Sequence, residues 1–90
     1  MKRGIRMQEF MRKFEQLNGV KAKILVEHCL FDKQVFICDE LQTINDNERL
    51  GVVLKDQPIF MYKQNVRVAE IQGDTYTMSD GRLALIVNKL

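Results

Sequence analysis

The sequence predicts a mainly β fold with one N-terminal helix, arranged as a small antiparallel meander or a small barrel. Three observations predict it. Met7, Phe10, Met11, Phe14 and Leu17 recur at helical spacing and form a single apolar stripe. From Val20 onward the period changes to two, with Val20, Ala22, Ile24 and Val26 alternating against Lys21, Lys23, Leu25 and Glu27. Short strand-like runs then follow one another with tight turn signals between them, a spacing that favours antiparallel pairing over a parallel sheet.

The helix is expected over about residues 5–18 and the meander over about 20–88, together one domain spanning residues 1–90. On the polar side of the helix Glu9 and Lys13 stand at i,i+4, and Asn18-Gly19 supplies a left-handed stop. Asp32-Lys33-Gln34 is read as a break after the first strand, with Val35-Phe36-Ile37-Cys38 as the second. Thr43 to Glu48, containing Asn45-Asp46-Asn47, reads as a polar loop.

The stretch from Leu50 to Tyr62 is the densest in the chain. Leu50-Gly51-Val52-Val53-Leu54 and Ile59-Phe60-Met61-Tyr62 flank the polar residues Lys55-Asp56-Gln57 and Pro58, the pattern of a central hairpin. Val66 to Ile71 is strand-like. Gly73-Asp74 and Asp80-Gly81 are turn signals on either side of Thr75-Tyr76-Thr77-Met78-Ser79, Asp80-Gly81 having the chemistry of a type I′ turn. The last strand, Arg82 to Val87, is apolar on both faces although it comes last. It should therefore lie centrally or pair with another subunit, and Leu83, Leu85 and Val87 are the residues expected to carry a homo-oligomeric contact.

Ninety residues limit the core, since a chain of this length buries only a little over ~60% of its unfolded surface. The net charge of +2 is unevenly placed. Residues 1–27 carry seven Lys or Arg against three acidic residues, and the remainder carries seven against nine. The N-terminal excess makes Arg3, Arg6, Arg12, Lys13, Lys21 and Lys23 the candidate contacts to nucleic acid. Basic Met1-Lys2-Arg3 is not followed by the apolar core of a signal peptide, and no run approaches the roughly 18 apolar residues of a membrane helix. The expectation is a cytoplasmic protein with reduced thiols and no membrane partner.

Catalytic patterns are sparse. His28 is the one histidine, and the pairs His28-Cys29 and Cys38-Asp39 lack the two-to-four-residue ligand spacing of a tetrahedral zinc site. Neighbours on a strand point to opposite faces, so His28 is not expected to activate Cys29. Walker, G-x-G-x-x-G and G-x-S-x-G motifs do not occur. No metal, no cofactor and no catalytic residue is assigned, and the protein is read as non-enzymatic.

The passage Phe14-Glu15-Gln16-Leu17-Asn18-Gly19-Val20 into Lys21-Ala22-Lys23-Ile24 resembles the helix-to-first-strand passage of the Sm-like small β-barrels, and Leu50-Gly51-Val52-Val53-Leu54 is similar to a strand in the middle of that fold. The resemblance lies in layout along nearly the whole chain. It implies an Sm-like barrel and RNA binding. That family's Asp-x-x-x-Asn base-contacting segment has no counterpart after Asp32, and Gln72-Gly73 and Asp80-Gly81 stand near the positions of its Arg-Gly motif. The first functional expectation is accordingly a homo-oligomeric interaction or assembly module of unknown protein partner. The alternative is an Sm-like RNA-binding protein that uses the basic N-terminal segment.

Overall fold

A computed structural model describes residues 2–90, with side chains from residue 7 onward. Helix α1 (Lys2–Glu15) is followed by eight strands: β1 (Ala22–His28), β2 (Phe31–Cys38), β3 (Gln42–Asn45), β4 (Arg49–Leu54), β5 (Gln57–Tyr62), β6 (Val68–Gln72), β7 (Thr75–Ser79) and β8 (Leu83–Lys89). All pairings are antiparallel. One sheet has the order β2-β1-β8-β7-β6 and the other the order β3-β4-β5. The mainly β class with one N-terminal helix is thus what forms, but the strands do not close into a barrel. No ladder among the described residues joins the two sheets, because the chain leaves β2 after Cys38 and bends before β3 begins.

The helix starts and ends about three residues earlier than its apolar stripe suggests. After Glu15 the chain tightens into i→i−3 bonds, Gln16 to Lys13, Leu17 to Phe14 and Asn18 to Glu15, before Gly19 takes φ +88°. Leu17 therefore completes the stripe from the turn and is still buried. Phe10 and Phe14 stack at 5.8 Å, and Tyr76 of β7 meets both rings at 6.1 and 6.4 Å. Met7 and Met11 pack at the margin of this cluster, so the whole stripe faces the sheets.

The inner faces of the two sheets share one core. Ala22, Ile24 and Val26 of β1, Met78 of β7, and Leu85 and Val87 of β8 meet Leu50, Val52 and Leu54 of β4 and Met61 of β5. The central hairpin is confirmed as β4–β5, joined by a two-residue turn in which Lys55 (φ 51°) and Asp56 (φ 66°) are both left-handed, as in type I′. The turn before β8 differs from expectation. Asp80 pairs with Leu83 through its backbone, so Gly81 and Arg82 are the central residues, and only Gly81 (φ +96°) is left-handed, the type II′ pattern. Asp80 acts from outside the turn, its carboxylate accepting the N–H groups of Arg82 at 2.9 Å and Leu83 at 2.8 Å.

Two segments depart from the sequence expectation more widely. Asp32-Lys33-Gln34 is not a break: the turn is Cys29-Leu30, and these three polar residues lie inside β2 with a register irregularity opposite Val26 and His28. Within the stretch read as a polar loop, Thr43, Ile44 and Asn45 belong to β3, which pairs with β4 from Gln42 opposite Val53 to Asn45 opposite Leu50. The loop shrinks to residues 46–48, where Asp46 accepts the N–H groups of Glu48 and Arg49.

Candidate functional site

The expected oligomer contact is where the structure corrects the sequence most. β8 lies between β1 and β7, bonded on both sides. Leu85 and Val87 have 0% exposure and Leu83 is half-buried, so all three are consumed by the chain's own core. A strand apolar on both faces here signals a central strand, and its backbone is not free for a partner.

The four sheet edges are β2, β6, β3 and β5, and three of them are blunted. Helix α1 packs beside β6 and β3, and the Asn45 amide donates to the Met11 carbonyl at 3.3 Å. β5 carries Pro58, and a proline has no N–H to offer a further strand. β2 has neither device, and at eight residues it is the longest strand among those described.

The direction of its free backbone groups follows from the register. Cys29 N–H donates to the Arg82 carbonyl and Leu90 N–H to the Lys21 carbonyl, both at 3.0 Å, which fixes the odd-numbered residues of β1 as the ones bonded to β8. The even-numbered residues Ala22, Ile24 and Val26 therefore bond to Cys38, Phe36 and Gln34 of β2. Val35 and Ile37, lying between them, direct their N–H and C=O groups away from the sheet. Their side chains are also on the outer face and are 56% and 67% exposed. Val35 continues into Leu25 of β1 and Ile86 of β8, so an apolar row runs inward from the edge before Thr77 and Glu70 end it. Lys33 flanks the row and pairs with Glu27 at 3.5 Å. Beneath β2, Phe36 faces inward with the Lys55 ammonium 5.6 Å from its ring.

Among the described side chains, the expected nucleic-acid contacts are divided between two parts of the chain. Arg12 and Lys13 lie on α1, both beside Glu9, at 3.9 and 3.8 Å. Lys23 is on the outer face of β1, across the sheet from the buried Ala22 and Ile24, and Lys21 is in the segment before β1. The side chains of Arg3 and Arg6 lie outside the described residues.

His28 and Cys29 hold a contact that strand alternation did not anticipate. Because Cys29 belongs to the β1–β2 turn, its Sγ lies 4.0 Å from His28 Nδ1, at an open cleft of about 300 Å³ also lined by Ser79, Gly81 and Arg82. The same Nδ1 accepts the Leu30 N–H at 3.1 Å, so its lone pair is engaged in holding the turn. Cys38 and Asp39 stand at the opposite end of β2, and no three His, Cys, Asp or Glu side chains among the described residues gather to hold a metal ion.

Two carboxylates are electrostatically set apart. Asp46 is lowered to about 2, chiefly by the Arg49 side chain, whose Nε lies 2.7 Å from Oδ2, and then by the N–H groups of Glu48 and Arg49. Arg49 also lies 5.1 Å from the centre of the Phe60 ring, and Lys63 bonds to the Asp46 carbonyl, so this cluster ties the β3–β4 loop to β5. For Asp80 partial burial raises the pKa, but the N–H groups of Leu83 and Arg82 outweigh it and the net shift is downward. Both act locally as turn-formers.

No family model, curated protein or solved structure matches the chain. Fold and edge together define a small two-sheet antiparallel protein with an N-terminal helix and one long edge strand whose charges and register irregularity are confined to its Phe31 end. No helix among the described residues is long and apolar enough to cross a membrane.

Proposed function

We propose that this protein is a small non-enzymatic assembly module that associates with copies of itself, and that the contact is the free edge of β2. One observation carries the reading: β2 is a long edge strand with outward backbone groups and exposed Val35 and Ile37. Such an edge is a template for another strand unless it is blunted. Strand addition satisfies the unpaired backbone and covers the flanking apolar side chains in one step.

The alternative, an Sm-like RNA-binding protein, draws on the same basic N-terminal residues as before. Its support is weaker because Arg12 and Lys13 sit beside Glu9 on the helix, and Lys23 belongs to a separate element, β1. Light scattering over a range of concentrations tests the assembly reading. A mass that rises from 10.6 kDa toward a closed multiple is expected, returning to the monomer in Val35→Lys/Ile37→Lys with its thermal transition preserved. A concentration-independent monomer for the unmodified protein overturns it. A salt-sensitive shift with mixed RNA at low salt, in the absence of self-association, would favour the alternative.

A further inference from the structure

We infer that the partner of β2 is the β2 of a second copy, paired antiparallel about a two-fold axis through Phe36. This rests on the assembly reading above and deepens it by fixing partner and register. Val35 and Ile37 stand on the outer face of the edge, with the Lys33 cation before them in the strand and the Asp39 anion in the first residue after its end. Reversed against itself, that series is self-complementary. Lys33 meets Asp39 of the second copy, Val35 meets Ile37, and each pairing occurs twice by symmetry.

Register alternatives fail on the same residues. Parallel pairing in register sets Lys33 against Lys33. A two-fold at Val35 sets Lys33 against Ile37 and leaves Asp39 facing Phe31, and one at Ile37 sets Val35 against Asp39. An axis perpendicular to the sheet requires paired residues to share a face, which excludes centres lying between residues. Among these registers, only the Phe36 centre matches charge with charge and apolar with apolar.

The backbone agrees. Val35 and Ile37 are the residues whose N–H and C=O groups point outward, so each Val35–Ile37 pair can exchange two bonds across the axis. The irregularity that disturbs β2 lies toward Phe31, outside the Val35–Ile37 centre. On the inner face Phe36 lies against Phe36 and Gln34 against Cys38 of the second copy. Lys33 keeps its intrachain Glu27 and gains Asp39 on its other side. The product is a ten-stranded antiparallel sheet, with the two apolar rows adjoining at its centre.

Gln34 and Cys38 of the second copy form a non-hydrogen-bonded pair in this register, with Cα atoms about 4.5 Å apart, inside the range a disulfide spans. Within one chain the same two positions are four residues apart on an extended strand, roughly 13 Å, and cannot bridge. In a Cys29→Ser background, Gln34→Cys treated with diamide should therefore give a covalent dimer, two thiols being oxidised to one disulfide as diamide takes up two hydrogens. Peptide mapping should place the bond between positions 34 and 38. Asp39→Lys should weaken the dissociation constant of the uncrosslinked dimer by roughly tenfold, more at low salt. A dimer that crosslinks at 34 to 34, or that forms without a 34–38 bond, overturns the register while leaving assembly standing. A protein that is monomeric throughout and gives no covalent dimer overturns both.

Discussion

Gly51 of β4 lies directly opposite Phe60 of β5, so close that a Cβ on Gly51 would stand 2.1 Å from the Ile59 carbonyl oxygen and 2.5 Å from Phe60 Cα. The obstructing atoms are backbone and cannot rotate aside. Gly51→Ala is expected to destabilise the fold by about 1–3 kcal/mol or more, because the strands must separate to admit one methyl group. Urea unfolding monitored by circular dichroism measures it, and an unchanged midpoint would show that the two strands part freely.

Phe14 joins helix to sheets, with 0% exposure and its ring in a three-ring cluster with Phe10 and Tyr76. Phe14→Ala should cost ~3–5 kcal/mol. Phe14→Leu should cost markedly less, since it retains most of the volume and loses mainly the aromatic contacts. Equal losses for the two would mean the site is not packed as described.

Asp46 gives a pH dependence with a definite sign. Its folded pKa of about 2 lies below the ordinary aspartate value of 3.8, so its contribution is present above the unfolded pKa and is lost as pH falls from 3.8 toward 2. Arg49→Gln, which removes the main cause of the shift, should bring the Asp46 titration back toward 3.8 and make the loop less sensitive across that window. Carbon-detected NMR titration of the carboxyl group follows it directly.

The stripe from Met7 to Leu17 was legible because burial on one helical face leaves a strong period, and the β4–β5 hairpin because apolar runs bracket a turn. β3 was hidden because three of its residues sit in a polar segment and its pairing with β4 is set by tertiary context. β2 was halved because an edge strand tolerates polar residues: Asp32, Lys33 and Gln34 have solvent where a central strand has neighbours. The candidate site was missed for the same reason. Apolar density drew attention to β8, whereas density on both faces marks a strand enclosed by its own chain.

Leu85 and Ile37 test that distinction. Leu85→Ala removes a fully buried side chain and should cost about 2–5 kcal/mol, whereas Ile37→Ala, at a position 67% exposed, should stay within about half a kcal/mol. Self-association should respond in the opposite order. It should weaken in Ile37→Ala and persist in whatever folded fraction Leu85→Ala retains, read by light scattering beside thermal unfolding.

The direction of the β2 backbone can be tested by proline at adjacent positions with exposed side chains. Gln34 is paired with Val26 and its N–H points into the sheet, so Gln34→Pro deletes a ladder bond and leaves the Val26 carbonyl without its donor. A loss of about 1–3 kcal/mol is expected from the unsatisfied group alone. Val35 directs its N–H outward, so Val35→Pro removes no bond within the chain and should be the milder change, limited by the φ that the ring imposes. It should nevertheless abolish self-association, since the bond that it deletes belongs to the partner strand. Equal stability of the two variants would show that β2 does not alternate in this register. A Val35→Pro protein that still associates would show that the second copy binds elsewhere.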